Sequence, residues 1–236
     1  MSGILSALSP DSCIVLTDGS IYDRDGKLLA IKRKVAASNR VPLAVAARGN
    51  FVLGEFVSAM IIEAAEDVGF DRMLADLESE LLPHLPTDRD LEILVAGVSE
   101  AAGPMHRVFG KKRTDREPLA LVDPGPMHWG FGSDGRAVSL DDFGVPPPNG
   151  EPLEVWFARY GLPIFEFFRR IPVPIDPEDP NTDRQHLIGG VLDMTIVGRE
   201  GASITRLHRW PDQVGERITI PDIGRHERRV PVRQAA

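Results

Sequence analysis

The chain has 236 residues, 42% of them hydrophobic, which is enough apolar material for the core of one large domain. Its formal net charge of -8 argues against a protein that tracks phosphates, since nucleic-acid binding needs a concentrated basic face. The basic runs KRK at 32–34 and GKKRTDR at 110–116 are too short to supply one and read as solvated strand ends or loops.

In chain order, GILSALS alternates apolar and small residues, PDS is a turn and CIVLTD is a short apolar run, so 3–17 predicts a hairpin. A second hairpin is signalled by DRDG between SIY and KLLAIKRKVAA, and VPLAVAARG predicts a further buried strand. At Asn50 the period changes. NFVLGEFVSAMIIEAAEDVG has Asn50 as N-cap and Gly69 as stop, with Glu55, Glu63 and Glu66 on one narrow polar stripe; a helix apolar around most of its circumference packs between layers. DRMLADLESELL predicts a second helix, with Met73, Leu74, Leu77 and Leu81 on one face and Pro83 ending it.

Strands then return. LEILVAGVSEAAGPMHRVFG predicts two strands around a turn containing Gly-Pro, and MHWGFGSDG a third ending in glycines. DDFGVPPPNGEP reads as a loop, and LEVWFARYGLPIFEFFRRI as helix on both sides of a break or kink at Gly161-Leu162-Pro163. Trp156, Phe157, Phe165, Phe167 and Phe168 make an aromatic stripe there, suited to a core or a subunit interface. PVPIDPEDPNTD reads as a long loop, and GGVLDMTIVGREGASITRLHRW as a final hairpin. The body is expected to be one domain over 1–210, followed by a polar, Pro-containing tail over 211–236.

Strands that arrive as hairpins give antiparallel sheets. A helix pair between two blocks of strands, and another pair after the later block, predicts an α+β fold: a four-layer α-β-β-α sandwich of two antiparallel sheets flanked by helix pairs. The single cysteine, Cys13, excludes an internal disulfide and a multi-thiolate zinc site, and lies within an apolar strand as a core thiol. The six histidines have no metal-binding spacing, so neither metal nor cofactor is implied. No segment approaches the ~20 apolar residues of a membrane helix. No signal-like basic and apolar run opens the chain, so the expected location is cytoplasmic, with no nucleic-acid or membrane partner.

Three stretches resemble one family: PDSCIVLTDG, with an aspartate closing the second strand; LEILVAGVSEAAGPMHRVFG, a strand, glycine and acidic-turn hairpin; and HWGFGSDG, with its Gly-Ser turn. GGVLDMTIV is similar to the same family's double-glycine strand start. Together they resemble the proteasome β-subunit and bacterial HslV-like branch of the N-terminal-nucleophile hydrolases. The resemblance runs from about residue 2 to about residue 210.

In that family the hydroxyl of the first residue attacks an amide carbonyl while its own α-amine, with an ordinary pKa near 8, serves as base. The spacing carries over without a gap from Ser2 to Asp18, so the resemblance implies Ser2 as nucleophile. It further implies Asp18 as the aspartate that holds a lysine, Lys34 as that lysine, Gly49 as the oxyanion glycine and Ser133 as the accessory serine. A peptide or amide substrate and a homo-oligomer, ring or other, follow from the same resemblance. Two departures stand against it. Gln185 and Ile188 occupy positions where the family has an aspartate and a serine, with Asp183 two residues out of register; and Ser2 has a free amine only once Met1 is removed. The alternative is a catalytically silent copy of the fold, with a structural or assembly role.

Overall fold

The structure, a computed structural model, describes residues 3–85, 91–110, 119–131, 138–175, 179 and 181–220. It opens on the hairpin β1 (Ile4–Leu8) and β2 (Ser12–Asp18), in register from Ile4 opposite Thr17 to Leu8 opposite Cys13. The turn closes because the Ser9 amide donates to the Ser12 carbonyl at 2.8 Å and the Ser12 amide returns a bond to Ser9 Oγ at 3.0 Å. A short ribbon follows, β3 (Ser20–Tyr22) with β4 (Leu28–Ile31), its turn held by Asp23 Oδ1, which accepts from the amides of Asp25 and Lys27. Then come β5 (Val35–Ala37) and β6 (Leu43–Gly49).

Helix α1 (Phe51–Val68) starts where Asn50 accepts the Leu53 amide at 3.1 Å and stops at Gly69, whose φ of 87° favours glycine. Helix α2 (Phe70–Asp76) is regular for less than its predicted span: Leu77–Leu81 continues in wider turns and Leu82–His84, containing Pro83, in a tighter one. The remaining elements are β7 (Leu91–Ser99), β8 (Gly103–Gly110), β9 (Met127–Gly130), α3 (Leu140–Phe143), α4 (Leu153–Arg169), β10 (Val173–Pro174), β11 (Arg184–Gln185), β12 (Val191–Gly198) and β13 (Gly201–Arg209).

Two larger antiparallel sheets organise these strands, one ordered β13-β12-β2-β1-β9 and the other β5-β6-β7-β8. Strand alternation sends every second side chain to each face, and three apolar clusters result. Leu5, Ile14, Leu16, Leu192 and Met194 pack against Trp156, Phe157, Ile164, Phe165 and Phe168 of α4. Leu43, Val45, Ile93 and Val95 pack against Val57, Ile61 and Ala65 of α1 and Phe70 and Met73 of α2. Between the sheets, Ile4, Cys13, Val15 and Val197 meet Val35, Ala44, Ala46, Leu94 and Ala96. Each large apolar side chain buried this way contributes about 1.5–3 kcal/mol. The molecule is therefore mixed α+β, with antiparallel sheets and few helices, compatible with an α+β sandwich.

Four further local expectations need correcting. Helix α1 does not pack between layers: Val57, Ile61 and Ala65 are buried on the face against the second sheet, while Val52, Phe56 and Val68 on its other side are exposed. Helix α4 runs unbroken through Gly161-Leu162-Pro163, because aromatic burial on both sides of Pro163 outweighs the lost backbone bond; Gly161 is there for close approach, since a Cβ on it would clash with Leu16 Cδ2. The stretch predicted as loop from Asp141 contains most of α3, fastened by the Ser139 amide and hydroxyl, which both donate to Asp142 Oδ2 at 2.9 Å. The expected loop at 172–183 is flanked by a two-residue ribbon, with Val173 opposite Gln185 and Pro174 opposite Arg184; residues 176–178 and 180 lie outside the described residues.

The first part of the tail folds back on the body. Leu28 donates its amide to the Glu216 carbonyl at 2.8 Å and accepts that of Gly215 at 2.7 Å, while Trp210 and Ile218 are buried. Residues 221–236, and the basic run at 110–116 beyond Gly110, lie outside the described residues. Among the described residues no helix is long and apolar enough to cross a membrane. Cys13 is fully buried, and burial pushes its thiol up to about 12.

Candidate functional site

Antiparallel pairing brings the start of β1, the end of β2 and the start of β12 to one end of the five-stranded sheet. Asp18 closes β2 there. Val35 pairs with Ala46, so Lys34, just before β5, and Gly49, at the end of β6, leave the second sheet at a common end.

Asp18 is fully buried and its two carboxylate oxygens are divided between different segments of chain. Oδ1 accepts the Gly3 amide at 2.9 Å and the Lys34 ammonium at 2.8 Å. Oδ2 accepts the amides of Ser20 and Gly189, each at 3.2 Å, and the Ser20 hydroxyl at 2.5 Å. Ser20 Oγ also lies 2.6 Å from the Leu187 carbonyl. A carboxylate with this many charge-assisted donors is held in one orientation. The Lys34 side chain is 4% exposed. Burial lowers its pKa from the ordinary lysine value, and the charge and hydrogen bond of Asp18 oppose that shift without cancelling it. The result is an ammonium that gives up its proton more readily than a surface lysine does.

Gly3 has its own requirement. A Cβ on it would lie 2.8 Å from the Phe131 ring and 2.9 Å from the Phe165 ring, so only glycine lets the strand start seat against both aromatics. Its amide, fixed to Asp18, anchors the peptide that joins it to residue 2.

Of the five residues expected at the site, Asp18 and Lys34 are in direct contact, and Gly49 sits at its strand end with a φ of 95°. Ser2 and Ser133 lie outside the described residues. The departures from the family pattern have clear environments. Ile188 is buried in the cluster under α4, the Gln185 amide donates to the Asp25 carbonyl at 3.1 Å, and Asp183 is exposed.

Ser20, Gly189 and, behind them, Asp212 were not singled out from the sequence. Ser20 has no mark beyond following Asp18 by two residues, and the double glycine at 189–190 read only as a strand start. A second polar group adjoins Gly49: Arg48 grips Glu92 at 2.8 and 2.9 Å, and Glu92 Oε1 lies 3.2 Å from His128 Nε2. Burial pushes Glu92 up, but the His128 hydrogen bond and the Arg48 charge together overcome it and hold the carboxyl at about 2. Among the described residues no group of three or more His, Cys, Asp or Glu is placed to hold a metal ion.

Compared with protein-family models and with curated proteins, the chain gives no match.

Proposed function

We propose that the chain is an N-terminal-nucleophile amide hydrolase of the proteasome-like kind, built on a four-layer α-β-β-α sandwich and acting on a peptide or amide substrate. The observation that carries this reading is the sharing of Asp18 Oδ1 between the Gly3 amide and the Lys34 ammonium, at 2.9 and 2.8 Å, because it ties a buried acid-base pair to the peptide that follows Ser2. With Met1 removed, the α-amine of Ser2 takes the hydroxyl proton as Ser2 Oγ attacks the amide carbon. Lys34 lowers the cost of the developing alkoxide, Asp18 holds Lys34, the Gly49 amide is the oxyanion donor and Ser133 assists the amine. Collapse expels the leaving amine with that proton and leaves an ester on Ser2 Oγ, which water hydrolyses. A homo-oligomer fits the same family reading.

A second reading, the catalytically silent copy, is favoured by one observation: the side chains at 185 and 188 are an amide bonded to the Asp25 carbonyl and a buried isoleucine, so neither supplies an acidic partner to a free amine. Intact mass separates the two first, because a purified protein that retains Met1 has no α-amine on Ser2. With Met1 gone, a β-lactone or vinyl-sulfone probe should acylate or alkylate Ser2, and Lys34→Ala should abolish labelling. Labelling that survives Lys34→Ala refutes this mechanism.

A further inference from the structure

The segment 187–190 is gripped from two sides. On one, the Gly189 amide donates to Asp18 Oδ2 at 3.2 Å and the Gly189 carbonyl accepts the Gly19 amide at 3.0 Å. On the other, the Gly190 amide donates to Asp212 Oδ2 at 2.7 Å, and Arg169 Nη1 donates to the Ile188 carbonyl at 2.6 Å. Arg169 and Asp212 are themselves a bidentate pair, at 2.6 and 2.9 Å, with both side chains 4% exposed. The guanidinium also stacks over Trp210, 5.0 Å from its ring, and the Arg169 carbonyl lies 3.0 Å from His186 Nδ1. Gly189 has no spare room between the two grips, since a Cβ there would clash with both Arg169 Nη1 and Asp212 Oδ2.

We propose that Arg169 and Asp212 are positioning residues for the Asp18–Lys34 pair, acting through the Leu187–Gly190 backbone. The role assigned to that pair rests on the hydrolase reading; the mechanical link does not. A buried pair of this quality is costly to desolvate, and replacing such pairs with apolar residues is often neutral for stability. Its distinctive product here is placement: two adjacent amides are aimed in opposite directions, one at Asp212 and one at Asp18. Asp212 thereby brings a residue from beyond β13 into the support of the site.

The test uses the full chain and two variants, Asp212→Asn and the apolar pair Arg169→Met with Asp212→Leu, the second of which leaves no buried charge behind if the first fails to fold. Amide exchange at Gly3, Gly189 and Gly190 is followed by NMR, together with the titration of Lys34 Nζ. Exchange at Gly189 should accelerate roughly tenfold to a hundredfold, the weight of one hydrogen bond to a charged group, and exchange at Gly3, bonded to the other Asp18 oxygen, by less. The Lys34 midpoint should rise towards its ordinary value as Asp18 loses a competing donor and the pocket loosens. Acceleration confined to Gly190, with Lys34 unmoved, overturns the proposal, because a merely structural pair would behave that way. If exchange and Lys34 both respond but the wild-type protein is never labelled at Ser2, the link stands and the hydrolase reading falls.

Discussion

Asp18 and Lys34 form one ion pair, yet removing either partner should cost very different amounts. In Lys34→Met the carboxylate keeps the Gly3, Ser20 and Gly189 amides and the Ser20 hydroxyl, and the burial cost of an ammonium disappears. The loss should be about 1–2 kcal/mol, because the ~1.5–3 kcal/mol of a single hydrogen bond to a charged group is partly offset by that relieved burial cost. In Asp18→Asn the Lys34 ammonium stays at 4% exposure without its carboxylate. The carboxamide NH2 must also face donors that had faced an oxygen. Breaking a buried pair in this way costs about 3–5 kcal/mol, or a loss of roughly a hundredfold or more in the folded-to-unfolded ratio.

Urea unfolding at pH 7, compared at unchanged slope, measures both. The pH dependence gives the sign a second check. Lys34 titrates below its ordinary 10.5 when folded, so between the two values the unfolded chain binds the extra proton and stability rises with pH. Asp18→Asn removes the charge that opposes the shift, so that rise should begin at lower pH. Equal losses for the two variants, or a larger loss for Lys34→Met, would refute the view that Asp18 is the hub and Lys34 one of its spokes.

Other expectations follow from separate features. Burial holds the His106 pKa below 6.5, with Ser6 Oγ 2.8 Å from its Nδ1, so stability should fall as pH drops below 6.5 and His106 is forced to charge; urea melts of His106→Asn should lack that limb. Glu92, held at about 2, contributes stability that is present above 4.5 and lost as pH falls through 2, a lower window that Glu92→Gln should erase in the same melts. Cys13, pushed up to about 12, should resist a thiol reagent at pH 8 in the folded protein and react on unfolding; rapid labelling under native conditions would show the strand to be open. Gly97→Ala should cost about 1–3 kcal/mol in thermal or urea unfolding, because the new methyl would clash with the fully buried Phe70 ring.

Hairpins and caps were legible in the sequence because their causes are local. The serines and aspartates of the turns bond within a few residues of themselves, and Asn50 and Gly69 bracket α1 by their own side-chain and backbone chemistry. Asp18 and Lys34 could be paired through the spacing of a family resemblance, and they do touch. What escaped depends on distant chain. Gly161 and Pro163 look like a break until Leu16 and the aromatic cluster under α4 are in place. The Ser20 hydroxyl acquires its role only when Leu187 arrives 2.6 Å away, and Asp212 only when Arg169 and Gly190 converge on it. No window of the sequence contains both sides of those contacts.

The division of Asp18 between residues 3, 20, 34 and 189 also orders events during synthesis. Asp18 and Lys34 leave the ribosome well ahead of residues 191–198, whose emergence gives β2 its second neighbour, β12, and the grip on Gly190 waits for Asp212. At ordinary translation rates that delay is on the order of ten seconds. During that interval the nascent chain offers Asp18 only the Gly3 and Ser20 amides and Lys34, and the full geometry waits for the Gly189 amide and the β12–β13 hairpin behind it.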